Sequence, residues 1–384
     1  MPPISNRWVC FQVDEPSATG VDVRKEDSLA DFQRIDVTGD VNYIAKLKDG
    51  RLITILNDPA PIEQLAEERP ERWTAVRSSD DGGATWTDPA PGFAYPAGLG
   101  FAMPVVACAD HNDRLHVFGL RFYGLGREGL PWRSALMHNT SDDGGATWSD
   151  SNAIDFGHDY TGSLNNVLVL ESGRILLALS YLDLERSSGQ FVSMTVYSDD
   201  GGANWNRSND CAVDYGGQFL ESGATEPVVV QLQSGLIWMV IRTTTGYFWE
   251  SFSNDGAIWT TPKPTRIVSS NAPAGVLKLN DGRIVLAWNN LYGEPMHERG
   301  ISYARQKLHM AISNDDAQTW SIPRVMAGVE PGDLPKAQTT YPYLIQALDG
   351  NIVLVYHRVE AKEGRNWHHP IREVIRIQPD WLVS

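Results

Sequence analysis

The amino-acid sequence predicts an all-β fold, a six-bladed β-propeller formed as a single domain over residues 1–384. Three observations predict it. A turn motif recurs at a near-constant period, a hairpin pattern recurs six times in step with it, and no convincing helical period lies between them. Six four-stranded units in tandem form a ring in which each sheet packs on its neighbours. A pair of β-sandwiches would not explain the sixfold count.

The turn motif is S-x-D-x-G-x-T-W. SDDGGATW stands at 79–86 and again at 141–148, and SDDGGANW at 198–205. SNDGAIW (253–259) is one residue short, and SNDDAQTW (313–320) carries Ala317 where the others have glycine. A carboxylate in a tight turn accepts backbone N–H bonds, glycine takes positive φ, and tryptophan wedges between strands. The box therefore reads as a structural staple rather than as chemistry.

The hairpins lie between the boxes. NYIAKLKDGRLITIL, NNVLVLESGRILLAL, EPVVVQLQSGLIWMVI, GVLKLNDGRIVLAW and YPYLIQALDGNIVLVY each place a two-residue turn between apolar runs, and VVACADHNDRLHVFGL is a looser copy. A variable loop, a third strand (TAVRSS, MTVYSD or LHMAIS), the box and an outer strand complete each unit. In chain order the blades span about 35–92, 98–153, 160–210, 220–265, 270–325 and 338–378. The sixth has no box, and its missing outer strand is expected from the N-terminal RWVCFQV (7–13), which closes the ring.

Composition narrows the function. A net charge of −16 argues against a nucleic-acid or anionic-membrane binder, because phosphate binding needs a basic face, but it leaves room for a small acidic ligand held by a few arginines. Cys10, Cys108 and Cys211 are odd in number and widely spaced, so they read as small buried hydrophobes rather than disulfide or metal partners. The opening MPPISNRWVCFQVDEPS lacks the basic and apolar regions of a signal peptide, which leads to the expectation of a cytoplasmic protein. Nothing points to a cofactor. His368-His369, with His357, suggest no metal, because adjacent histidines point apart.

The hairpin turn is a ruler for the functional rim. About eight residues after it, second strands end in Asn57-Asp58, Leu120-Arg121, Ser180-Tyr181, Arg242, Asn289-Asn290 and His357-Arg358. About eight or nine residues before it lie Asn42, Met103-Pro104, Asn165, Glu226, the stretch 271–274 and Tyr341. Polar, charged and aromatic groups at the ends of apolar strands mark a binding face.

The S-x-D-x-G-x-T-W box resembles the Asp-box of the sialidase (neuraminidase) superfamily, and nearly the whole sequence is similar to that superfamily's six-bladed BNR-repeat proteins. In GATEPVVVQLQSGLIWMVIRTTTG, Glu226 and Arg242 match the family's blade-four glutamate and arginine; YARQKLHMAISNDD places Arg305, and TTYPYLIQALDG places Tyr341. Tyr343 competes with Tyr341, because residues two apart on a strand share a face. The resemblance implies a retaining exo-glycoside hydrolase acting on a terminal acidic sugar, with Tyr341 as nucleophile, Glu226 as its base, and Arg242 and Arg305 clamping the sugar carboxylate. The residue types suit that chemistry. Planar guanidinium forks hold a carboxylate in a set orientation, and a neutral phenol is not repelled by it as an anionic nucleophile would be. A phenol's ordinary pKa near 10 calls for a partner base.

The sequence departs from the family pattern in blade one. The family has an arginine there, whereas TGDVNYIAKL offers Asp40 and Asn42; Arg34, Arg121 and Arg358 are the candidates to reach in. The general acid falls in NDPAPIEQLAEERPERW, with Asp58 preferred over Glu63, Glu67 and Glu68. DFGHDYTG offers Asp155, His158, Asp159 and Tyr160, of which His158 and Asp159, with Asn165, are candidate substrate contacts. Loop 289–306 reads as a substrate-facing flap. Two other readings stay open: a propeller hydrolase or lyase acting on a different glycan, containing uronic acid or deoxysugar, and a non-catalytic glycan-binding propeller.

Overall fold

β-Branched and aliphatic runs separated by Asp-Gly and Ser-Gly turns pair as antiparallel hairpins. The computed structural model describes residues 32–35, 41–56, 68–69, 72–95, 98–99, 101–125, 132–158, 164–183, 185, 190–214, 222–291, 305–328, 338–359 and 371–383. These residues form six four-stranded antiparallel sheets arranged as a propeller, and a two-stranded ribbon (Glu68–Arg69 with Gly98–Leu99).

Blade one holds Ile44–Lys46, Leu52–Leu56, Arg72–Ser79 and Ala90–Tyr95; blade two holds Phe101–Ala109, Leu115–Leu125, Trp132–Ser141 and Asn152–Ile154. Blade three comprises Asn166–Val169, Ile175–Asp183, Gln190–Ser198 and Asn206–Arg207, and blade four Thr225–Gln231, Ile237–Arg242, Tyr247–Ser253 and Lys263–Val268. Blade five runs through Gly275–Lys278, Ile284–Trp288, Lys307–Ser313 and Arg324–Gly328. Blade six takes Gln338–Gln346, Ile352–Val359 and Ile371–Ile377 from the end of the chain and its fourth strand, Phe32–Ile35, from near the start.

The last assignment corrects the expectation for 7–13, which lies outside the described residues. The strand beside Ile371–Ile377 is Phe32–Ile35, with Phe32 opposite Ile377 and Ile35 opposite Val374. Arg34 is thereby placed on the outermost strand of blade six and does not open blade one.

Each sheet is apolar on both faces because each meets two neighbours. Six buried clusters each draw on two adjacent blades, from Ala45, Ile55 and Val117 between blades one and two to Ile44, Leu52 and Val355 between blades one and six. The first strands of all six blades line an axial cavity of about 400 Å³.

The boxes cap the turns between third and fourth strands. In 141–148, the Ser141 hydroxyl donates to Asp143 Oδ1 at 2.8 Å and accepts the Gly145 N–H at 2.9 Å, while Thr147 donates its N–H to Oδ1 at 2.8 Å. Trp148 Nε1 donates to the Gly145 carbonyl at 2.9 Å. Boxes 79–86 and 198–205 repeat this pattern. The hydrogen bonds, led by the threonine or asparagine side chain, hold Asp143 and Asp200 at pKa values of about 2.

Candidate active site

Proline cannot donate to a strand ladder, so within a first strand it belongs at a bulge. Glu226-Pro227 and Tyr341-Pro342 both sit where the register of a first strand slips, between Thr225 and Val228 in blade four and between Thr340 and Tyr343 in blade six. Glu226 and Tyr341 both have positive φ, 42° and 54°, in a region that residues with a side chain rarely occupy. Such strain costs about 1–3 kcal/mol per residue and concentrates at functional sites. Gly275 of blade five allows close approach: a Cβ there would lie 2.6 Å from the Pro342 carbonyl oxygen.

The two bulges aim their side chains at each other across the ring. Tyr341 OH donates to Glu226 Oε1 at 2.9 Å, and Arg242 Nη1 donates to Glu226 Oε2. Arg242 Nε donates to Asn271 Oδ1 at 2.7 Å. Arg305 donates from Nε and Nη2 to the main-chain oxygen of Asn271, at 3.0 and 2.5 Å, and its guanidinium carbon lies 5.7 Å from the Tyr341 ring centre. Glu226, Arg242, Asn271 and Arg305 are 5%, 4%, 2% and 0% exposed, whereas Tyr341 is half-buried. A buried ion pair pays a desolvation cost that an apolar pair avoids, so the Glu226–Arg242 pair is weak evidence of a stabilising role.

The bulge also separates the two tyrosines. Tyr343 turns away from Glu226 and donates to the Ile44 carbonyl at 2.7 Å, with its ring edge-on to Tyr43 at 5.0 Å. The expectation that they share a face fails because a bulge resets the alternation.

Blade six adds groups that the sequence reading left unassigned. His357 stacks on Tyr341 with centroids 5.4 Å apart, and burial, then the charge of Arg372, holds its pKa well below the ordinary value. Arg372 stands opposite His357 in the strand register. Burial pushes the Tyr43 phenol up to about 12; Arg372 acts against that shift, and Glu226 adds to it. The signal for Arg372 was the register itself, which pairs it with a residue already on the rim.

The other candidates lie elsewhere. Arg358 donates to Glu373 at 3.1 Å, and Glu373 also accepts from Tyr356, so Arg358 belongs to a cross-strand cluster within blade six. Arg121 is half-buried on blade two, opposite Ala102 and Ala135. His158 stacks on Tyr181 at 3.4 Å and meets Arg207 Nη1 at 3.0 Å, in a cluster with Asp210 at blade three. Asn165 is buried at the start of blade three and lines the axial cavity. Asn42 is buried, and its N–H donates to Thr54 Oγ1 at 2.9 Å. Asp58, Asp159, Tyr160, His368-His369 and most of loop 289–306 lie outside the described residues, as do the side chains of Arg34 and Glu68. Among the described residues no group of three or more His, Cys, Asp or Glu is arranged to hold a metal ion.

Residues 74–354 match the BNR repeat-like domain family. The chain is 26% identical to a sialidase from Micromonospora viridifaciens over 321 residues, 73% of this chain and 44% of that protein. It spans less than half the length of the curated relatives it matches. Among solved structures, a protein of unknown function from Dyadobacter fermentans superposes with a TM-score of 0.64 at 16% identity, covering 91% of this chain and 98% of that one. The intramolecular trans-sialidase from Ruminococcus gnavus superposes with a TM-score of 0.62 at 16% identity, covering 90% and 95%.

Proposed function

The chain belongs to the BNR repeat-like domain family, as a propeller of the sialidase superfamily, and from that premise we propose that it is a retaining exo-glycoside hydrolase of terminal acidic sugars such as sialic acid. The observation that carries the reading is the hydrogen bond from Tyr341 OH to Glu226 Oε1, made by two residues held at positive φ. A phenol paired with a carboxylate is a neutral nucleophile with its base in reach.

In the proposed reaction the Tyr341 oxygen bonds to the anomeric carbon as the glycosidic C–O bond breaks. The phenol proton passes to Glu226 Oε1, and the departing oxygen takes a proton from a general acid. Asp58 is the candidate for that acid, from the sequence alone. Water then attacks the anomeric carbon and gives a proton to the conjugate base of the acid as the bond from that carbon to the Tyr341 oxygen breaks, and Glu226 returns the proton to the leaving phenolate. Two displacements at one carbon retain configuration. Arg242 and Arg305 orient the sugar carboxylate, and Arg372 adds positive potential from the blade-six side.

The test is turnover of fluorogenic α-sialosides (N-acetylneuraminic acid and its deaminated analogue) beside a plain uronide. Wild type should release from a sialoside, Tyr341→Phe should abolish release, and Glu226→Gln should lower kcat by roughly 10²–10⁴-fold, the range for a general base. Silence on every sialoside would sink the reading. Release from the uronide alone would move it to a different glycan.

A further inference from the structure

Two buried guanidiniums of like charge need something between them. Arg242 and Arg305 meet at one residue, Asn271, which uses its side-chain oxygen for Arg242 and its main-chain oxygen for Arg305. Asn271 is in turn fixed to the strand that carries the nucleophile. The Ala272 N–H donates to the Ser270 carbonyl at 2.7 Å, and the Ser270 N–H donates to the Asn289 carbonyl at 3.1 Å. The buried Asn289 amide donates from Nδ2 to the carbonyls of Lys307 and Thr339, both at 2.8 Å. Thr339 closes the circuit by donating its N–H to the Arg305 carbonyl at 2.7 Å, two residues before Tyr341.

We propose that Asn271 is a positioning residue that sets the mutual orientation of Arg242 and Arg305, so that the pair selects a planar carboxylate on the ligand. This rests on the carboxylate-binding role given to the arginines above. The amide is suited to the task because it accepts without carrying charge. An aspartate would make the same bond to Arg242, but it would cancel one guanidinium charge and repel an incoming anion. An alanine would leave Arg242 Nε buried without that acceptor and let the fork turn. The Arg305 arm runs through the main chain and survives either substitution, so the effect is confined to the geometry and charge of the pair.

The experiment is calorimetric binding of N-acetylneuraminic acid and of its methyl ester to wild type, Asn271→Ala and Asn271→Asp, with melting temperature and sialoside turnover measured on each protein. Wild type should bind the acid more tightly than the ester. Asn271→Ala should lower the acid-to-ester ratio by about tenfold, the scale of one charge-assisted bond. Asn271→Asp, which keeps the acceptor, should lower it at least as far through its added charge, so the neutral variant carries the test of positioning. With turnover, both variants should raise KM more than they lower kcat. If Asn271→Ala fails to fold, Asn271→Gln decides: it stays neutral but moves the acceptor, and it should lower the ratio by a similar factor. A ratio that survives in the variants overturns the brace while leaving the clamp, and a wild type with no preference for the acid overturns both. A wild-type preference for the acid without turnover sinks the proposed reaction and leaves the brace tested.

Discussion

At the residue scale, the repeated box shows what glycine does by what happens without it. In four boxes glycine follows or lies two residues past the aspartate, at φ between 70° and 95° in the first two, and the serine hydroxyl accepts a glycine N–H. In the fifth, Asp316 and Ala317 take φ of 54° and 66° in the same turn, and the Ala317 N–H still finds Ser313 Oγ at 3.0 Å. The hydrogen bonds have been kept and the backbone is strained to keep them. Ala317→Gly should therefore stabilise the protein by about 0.5–1 kcal/mol, since relief of the left-handed penalty exceeds the loss of one half-buried methyl. Thermal melting checks this, and an unchanged or lower Tm would show that the methyl packing near Trp320 outweighs the strain. Tyr341 is strained in the same sense, but there the strain aims a phenol at a carboxylate, and relaxing it should cost the proposed turnover.

At the element scale, the interfaces between blades hold neutral histidines. His116 and His138 stack 5.3 Å apart between blades two and three, with His116 Nδ1 3.0 Å from His138 Nε2. Burial lowers His116, takes His138 to about 3 and takes His309, in blade five, to about 4. The unfolded chain protonates these rings near pH 6.5, above the folded values, which lie at about 3 for His138 and about 4 for His309. Their contribution is thus complete above about pH 6.5 and is lost as pH falls toward 3–4, at about 1.4 kcal/mol per pH unit for each such histidine. Box carboxylates at about 2 when folded and about 4 when unfolded are ionised in both states between pH 7 and pH 5, so they add almost no slope there and steepen the loss only below about pH 5. We expect Tm to fall between pH 7 and pH 5, and to fall less steeply in His309→Leu. A flat wild-type profile over that range would contradict the burial of these rings. The same blades show which parts of the site a sequence can disclose. The hairpin turn fixed where first strands begin and second strands end, and so placed Glu226, Arg242 and Tyr341. Pro342 is a local sign of the bulge, but it does not say which way the chain turns there, and that turn is what separates Tyr341 from Tyr343. Asn271 acts partly through a main-chain oxygen, which has no residue identity, and Arg372 is found only through cross-strand register.

At the scale of the whole molecule, the six sheets were legible because a period repeats, and so was closure of blade six by a strand from near the start of the chain; which segment supplies it was not, because that pairing happens once. RWVCFQV offers a longer apolar run than FQRI, yet pairing with a strand more than 300 residues away is decided by register and reach rather than by local pattern. In the ring, Phe32–Ile35 covers the outer edge of Ile371–Ile377, so a segment from near the start of the chain is hydrogen-bonded into the last sheet. An uncovered edge strand offers its N–H and C=O groups to other chains. Deleting residues 1–30 should leave that sheet four-stranded, with melting and solubility close to wild type. Deleting residues 1–35 should remove its fourth strand, lower Tm by several degrees or more and promote aggregation. Melting curves and light scattering on the two truncations separate the cases: equal damage from both would return the closing role to 7–13, and no damage from either would mean that the ring holds without a strand from the start of the chain.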